Sequence, residues 1–386
     1  MNNFIKIIVF ILMYFSSPCA AYGDGLVLGY FERDWRMVDE KSQLCFIGHS
    51  GDTENILLAV NFDDRSGAGK VAWIFPVPSS PESVEIDIIK EFPETVGASL
   101  EVMYNKKLDA IFQNVLLTQV ITLPVFFFRP MMMAVNSPGA DLKVYKSIAS
   151  MGVVTQLVSA KDQAALKNYI EAKGLKFPEN LLKVFEKYTR WGYCFVISWI
   201  DDFEKFKREN EKAGSGSFKS SIGVFAAFPS REIYFPLTPT SAYNEKIVPL
   251  VLYIMGHHVE PNFYDRIKPY SKCDLEISEK YRVPEKLSRF FFGNKYFEKL
   301  DFSVISINAP SSLLVEDLKI SPRRSAKSKL FGFISEKGAW VSVVLIVIFS
   351  CLASLLADFR RPKPAFFFSA FSICCLFLAL LPPHTF

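Results

Sequence analysis

The sequence predicts an α+β fold: a mostly antiparallel sheet with helices packed on one face, plus a C-terminal two-helix transmembrane hairpin. Three observations predict it. Short apolar runs rich in β-branched and aromatic residues, punctuated by Gly, Ser, Asp and Pro, occur before residue 80 and again from 193 to 308. Between them, residues 152–200 read as strand, helix, helix, strand, the order that lays two helices on one face of a sheet. Finally, two uncharged runs, 339–357 and 365–381, flank the basic turn 358–364.

Residues 1–21 read as a secretory signal, with Lys6 ahead of an apolar core and small residues at Cys19, Ala20 and Ala21. The domain expected to follow spans 22–320. Residues 43–48, 55–62 and 70–77 read as a three-stranded meander, turning at 49–52 and 63–69 and leaving the sheet at Pro76 and Pro78. Asp63 and Asp64 can hold a cation, but a turn built of Asp, Ser and Gly needs none. Residues 86–92 are expected to form a short helix ended by Pro93. The segment 115–135 (VLLTQVITLPVFFFRPMMMAV) is long and apolar, yet Pro124, Pro130 and Arg129 make it a poor helix. Three readings stay open for it: a loop dipping into the membrane surface, buried strands, or a span.

Residues 152–159 open the central unit. Ser159 and Asp162 have capping-box spacing, Leu166, Tyr169 and Ile170 share a helical face, and Gly174 is a favoured stop. Pro178 suits the first turn of the next helix, whose apolar face is Leu181, Leu182, Phe185 and Tyr188. Residues 193–200 (YCFVISWI) are too apolar for an exposed edge strand. Asp201 and Asp202 look like a carboxylate pair, but their place before the charged stretch 203–213 makes them helix caps. Residues 214–217 form a Gly-Ser link without the lysine of a phosphate loop. Strands are expected at 221–228, 233–237, 247–256 and 300–308, with a last element at 311–320 and a basic linker at 321–338.

A helix rises about 1.5 Å per residue, so about 20 apolar residues cross a hydrocarbon core. Run 339–357 has that length without charge or proline, and 365–381 is near the lower limit. Neither keeps the polar stripe of a soluble core helix. The expected arrangement puts the 358–364 turn, with Arg360, Arg361 and Lys363, on the cytoplasmic side and the domain outside. The net charge of +4 owes much to Arg323, Arg324, Lys327, Lys329 and Lys337 just before the anchor, so nucleic acid is not an expected partner and the lipid bilayer is.

No catalytic, cofactor-binding or metal-binding set stands out, and the site assignments from sequence are none in each class. His257 and His258, with Glu260 and His49 as further donors, are the best metal hint, but adjacent side chains on a strand point to opposite faces. No GxSxG elbow or CxxC pair occurs. Cys45 and Cys194, both in expected strands, are candidates for a disulfide or for two buried thiols, with Cys273 left over.

Trp73-Ile-Phe-Pro-Val-Pro78 closing the first strands, Ser159-Ala160 with Leu166 and Gly174, Tyr188 before 193–196, and Phe228-Pro229-Ser230 leading to Tyr234-Phe-Pro-Leu237 together carry a resemblance. The ordered set resembles a bacterial family of exported proteins described as domain of unknown function twenty-three-thirty. The resemblance would cover roughly 26–320 and implies one domain on one side of the membrane, with no activity attached.

The function expected from these readings is a non-enzymatic binding or scaffold ectodomain, held at the bacterial cytoplasmic membrane and facing outward. Its expected contact surfaces are 115–135 and the aromatic region 264–297, notably Arg289-Phe-Phe-Phe292, with other envelope or membrane proteins as partners. An extracytoplasmic hydrolase using His49, His257 or His258 is one alternative. An accessory subunit of a membrane transport complex, contacting partners through the hairpin near Ser350 and Ser372, is another.

Overall fold

The computed structural model describes residues 26–31, 34–37, 43–60, 71–117, 143–175, 179–212, 222–243, 246–292 and 297–358. In chain order the strands are β1 (Leu26–Phe31), β2 (Asp34–Met37), β3 (Gln43–Ser50), β4 (Thr53–Val60), β5 (Val71–Val77), β6 (Glu85–Ile89), β7 (Glu94–Ser99) and β8 (Lys143–Ser150). They continue with β9 (Val153–Ser159), β10 (Cys194–Ile200), β11 (Ile222–Pro229), β12 (Ile233–Phe235), β13 (Leu250–Met255), β14 (Ser271–Arg282), β15 (Leu300–Ile307) and β16 (Leu318–Ile320). The helices are α1 (Leu100–Leu117), α2 (Gln163–Ala172), α3 (Glu179–Arg190), α4 (Phe203–Lys212), α5 (Glu285–Phe292) and α6 (Ala326–Asp358).

Two large sheets face each other. One has six strands in the order β2-β1-β5-β10-β9-β8, and the other eight in the order β6-β11-β4-β3-β13-β15-β14-β7. Every pairing in both is antiparallel except β13 with β3. Between the sheets lies the main core, with Trp73, Phe75 and Val196 from one side meeting Ile47, Ile56 and Leu252 from the other. Side chains alternate along a strand, so the intervening residues need cover on the outer faces. Ile74, Phe195 and Ile197 find it under α2 and α3, against Leu166, Leu181 and Phe185. Phe46, Leu57 and Phe225 find it under α5, against Leu287, Phe291 and Phe292. This is why β4 and β10 read as nearly continuous apolar runs: both faces of each sheet are covered.

The α+β class and the mainly antiparallel pairing agree with expectation, but helices cover both sheets on their outer sides instead of one face of a single sheet. The meander is also corrected. β3 and β4 form a hairpin at Gly51, whose positive φ suits glycine, but β5 crosses to the opposing sheet between β1 and β10. There each face of β5 meets a different core. The helix expected at 86–92 is strand β6 instead. Val84, Ile86 and Ile88 recur at a period of two and point into the main core while β6 pairs with β11.

The cap of α2 is Asp162, whose Oδ1 accepts the Ala165 N–H at 2.8 Å, so the serine of the expected capping box is not the cap. Asp202 caps α4 as expected, accepting the Lys205 N–H at 2.9 Å. α1 had no counterpart in the sequence reading. Only Leu100 and Ile111 are buried along its first twelve residues, too faint a period to announce a helix.

The basic linker expected at 321–338 is corrected as well: α6 begins at Ala326, capped by Ser325, whose Oγ accepts the Ser328 N–H at 3.0 Å. Its first half runs parallel to α1. Lys327 pairs with Glu101 at 3.6 Å, the Phe331 and Tyr104 rings stack at 4.3 Å, and Gly338 sits against Lys107 and Ile111. A non-helical Lys337 kinks α6 just before the uncharged run. That run is helical to Asp358; no helix among the described residues is long and apolar enough to cross a membrane. The signal segment 1–21, the link 214–217, residues 118–135 of the apolar segment, and the second run 365–381 with nearly all of its turn lie outside the described residues.

Candidate functional site

The three histidines singled out from sequence do converge at one end of the eight-stranded sheet. His49 is the penultimate residue of β3, and His257 and His258 follow β13, the strand parallel to β3. Parallel pairing brings the two strand ends together, and the His49 and His257 rings lie 6.3 Å apart at a steep angle. Each Nε2, however, meets a main-chain carbonyl: His49 that of Ser230 at 2.9 Å, His257 that of His49 at 2.6 Å, and His258 that of Glu276 at 2.8 Å. A carbonyl only accepts, so each Nε2 carries its proton and donates. The imidazoles stitch strand ends to neighbouring loops. Among the described residues no group of three or more His, Cys, Asp or Glu is placed to hold a metal ion.

Glu54 faces His49 across the β3–β4 hairpin and is wholly buried. Both of its carboxyl oxygens lie within 3.0 Å of the Tyr234 N–H. Burial pushes its carboxyl well above the usual range, and the Tyr234 N–H only partly opposes that. This joins β4 to β12. The neighbouring His258 has its own cluster: the Arg324 guanidinium donates to His258 Nδ1 at 3.2 Å and pairs with Asp301 on β15.

A second polar cluster, at Asp317, ties the sheets to their helices. Asp317 Oδ1 accepts from the Tyr188 hydroxyl at 2.6 Å, the Thr238 N–H at 3.0 Å and the Thr238 hydroxyl at 2.7 Å, while Oδ2 accepts from the Tyr234 hydroxyl at 3.2 Å. Burial and then the Asp317 charge push the Tyr188 and Tyr234 hydroxyls up, so both stay protonated as donors. One carboxylate thereby holds α3, β12 and the 3-10 turn Thr238–Tyr243 together. Sequence reading missed Asp317, Asp301 and Arg324. Asp317 and Asp301 are single charges in unremarkable stretches and Arg324 was read only as part of the basic run before the anchor, and their partners lie 23 to 129 residues away.

Of the two expected contact surfaces, 115–135 has no described side chains, and the described residues of 264–297 are only partly exposed. In the Arg289-Phe-Phe-Phe292 stretch, Phe291 and Phe292 are core residues of α5, which overturns it as a surface. Its amphipathic α5 drives the rings inward. Cys45 lies in one sheet and Cys194 in the other, and no disulfide joins them; Cys45, Cys194 and Cys273 are thiols. Asp201 adds a main-chain contact, its N–H donating to Gly152 O at 2.9 Å. Among the described residues, an open apolar stripe lies on α6, on the side away from α1. Phe333, Trp340, Val344 and Ile348 are each more than 40% exposed, and Phe333, Lys337, Trp340, Val341, Val344 and Leu345 line an open groove of about 600 Å³.

No family model and no curated protein matches the chain. Among solved structures, the crystal structure of baculovirus P35 is similar at a TM-score of 0.29 and 9% identity, over 74% of this chain and 96% of that one. A likeness that loose bears on neither fold nor function.

Proposed function

We propose that this is a membrane-anchored protein of the bacterial envelope, whose sandwich domain faces the extracytoplasmic side and binds or scaffolds partners without catalysis. The observation that supports it best is α6. A single helix, started by Ser325 and braced along α1, carries an open apolar stripe from Phe333 to Ile348 beside Lys329 and Lys337. The crossing itself is proposed from the uncharged sequence run 339–357 and not from the described helix, which is not long and apolar enough to cross. Apolar side chains with basic neighbours suit the boundary between headgroups and acyl chains, where Trp340 has a favoured place. The run 365–381, only a short basic turn further on, supplies the second arm of a hairpin with the turn inside. The resemblance of the ordered motifs to an exported bacterial family, a reading from sequence alone, supports the same side for the domain. The histidines support a binding module over a hydrolase, since each spends its Nε2 proton on a main-chain carbonyl.

The test is fractionation of cells expressing the full chain, with a single exposed cysteine introduced as Ser312→Cys. Alkaline carbonate should leave the protein in the membrane pellet, and an impermeant maleimide should label the cysteine in intact cells. Extraction into the supernatant overturns the anchor; labelling only after permeabilisation overturns the orientation. Cross-linking in intact membranes then asks for a partner, and recovery of the protein alone counts against scaffolding.

A further inference from the structure

The body of the protein meets α6 at a point held by very few groups. Ser325 caps the helix through its Oγ, and its carbonyl accepts the Lys329 N–H at 3.0 Å. The residue before it, Arg324, is therefore fixed to the first helical turn. Arg324 reaches back to β15, where its guanidinium pairs with Asp301 and donates to His258 Nδ1 at 3.2 Å. The His258 side chain has no exposure, while those of Arg324 and Asp301 are 45% and 33% exposed.

The geometry defines the protonation state. His258 Nε2 donates to the Glu276 carbonyl on β14 at 2.8 Å, so Nδ1 is the ring's acceptor and takes the Arg324 N–H. A second proton can only enter at Nδ1. There it replaces the lone pair that Arg324 uses and sets two cations against each other. It also turns Nδ1 into a donor 3.8 Å from Asp301 Oδ2, the carboxylate that Arg324 holds. The two arrangements exclude one another at Nδ1 and compete for the Asp301 carboxylate.

We propose that His258 is a pH-sensitive latch: neutral, it holds Arg324 and the first turn of α6 against β15; protonated, it takes Asp301 for itself and releases Arg324. The groups that face it are Asp301 from β15, the Glu276 carbonyl from β14, Arg324 from the start of α6 and His257 from its own loop. Burial is the largest influence and lowers its proton affinity, Asp301 and the Glu276 carbonyl raise it, and Arg324 and His257 lower it. The net is below the usual histidine value, so the unfolded chain binds this proton more readily than the folded one. The latch is complete above about pH 6.5 and is lost as pH falls below that. Further along, Phe331 on Tyr104 and Lys327 on Glu101 keep α6 on α1, so opening frees the first turn and its junction to the body. The latch acts whether or not α6 enters a membrane.

Amide hydrogen exchange of the full chain, followed by mass spectrometry over a peptide covering 321–331 and corrected for intrinsic rates, reads the junction directly. Between about pH 7.5 and pH 5 its protection should fall about tenfold, with that of β10 unchanged. In His258→Gln, which keeps an acceptor but does not titrate, the step should vanish. Arg324→Gln, at an exposed position, should show low protection at both pH values. A step of full size in either variant, or no step in the native chain, overturns the latch.

Discussion

Removing the Asp317 carboxylate is the sharpest test of how this fold is held together. In Asp317→Ala, the Tyr188 hydroxyl, the Tyr234 hydroxyl and both donors of Thr238 lose their acceptor at once. Tyr188, Tyr234 and Thr238 are all buried, so water reaches them poorly. A buried donor left without a partner costs about 1–3 kcal/mol, but the donors share one acceptor and the losses will not simply add. The expected destabilisation is about 3–5 kcal/mol. For a domain of this size that lowers the melting temperature by roughly 6–20 °C, at about 2–4 °C per kcal/mol. Tyr188→Phe removes one donor and leaves Asp317 three partners, so it should cost about 1.5 kcal/mol. The double variant Tyr188→Phe/Asp317→Ala should be less damaging than the sum of its parts by about 1 kcal/mol or more, because the hydroxyl stranded by the first change is absent. Urea unfolding followed by tryptophan fluorescence measures all three. A loss under about 1 kcal/mol for Asp317→Ala, or strict additivity in the cycle, refutes the reasoning that this carboxylate joins α3, β12 and the 3-10 turn.

Three further outcomes are expected. Gly48→Ala places a methyl 2.6 Å from the Phe291 ring and 2.7 Å from its Cα, so α5 itself has to shift. The cost is about 1–3 kcal/mol of overpacking, and an unchanged urea midpoint would show that α5 is loosely docked. For Glu54 the folded state binds its proton more tightly than the unfolded, so its contribution is fully present below about pH 4.3 and is lost as pH rises through the folded value. Glu54→Gln should flatten that slope and be at least as stable as the native chain at pH 8; a large loss there would mean the charged form is the one stabilised. Burial first of all pushes the Cys194 and Cys273 thiols up to about 12, leaving only about one thiolate in ten thousand at pH 8. Buried Cys194 should react with maleimide at the rate of unfolding and half-buried Cys273 more slowly than an ordinary thiol, and prompt labelling of Cys194 in the native protein would contradict its burial.

Much of the local structure was legible in the residues. The two-helix unit α2–α3 was readable because Leu166, Ile170, Leu181, Phe185 and Tyr188 recur at the helical period and nothing competes with it. β10 was readable because an apolar run bounded by Gly192 and an Asp pair has no other economical place. Asp202 as a cap followed from a short polar side chain placed just ahead of a charged helical stretch. The misread segments share a cause. Residues 86–92 carry apolar side chains at both strand and helix spacings, and only β11, more than 130 residues later, supplies the edge that makes them β6. α1 and the first half of α6 are polar enough to pass for loop or linker until each is laid against the other.

What the sequence determined by itself is therefore periodic and local: the antiparallel α+β class, most strands, two helices with their faces, and the uncharged runs at 339–357 and 365–381. What only the tertiary structure decided is which strand joins which sheet, that β5 crosses between them, and that Asp317, Glu54 and His258 become shared acceptors and donors. The physical reason is one of range. Helix and strand periodicity is set by backbone geometry over a few residues, whereas the pairing of a lone charge depends on which distant donors the packed sheets bring within 3 Å.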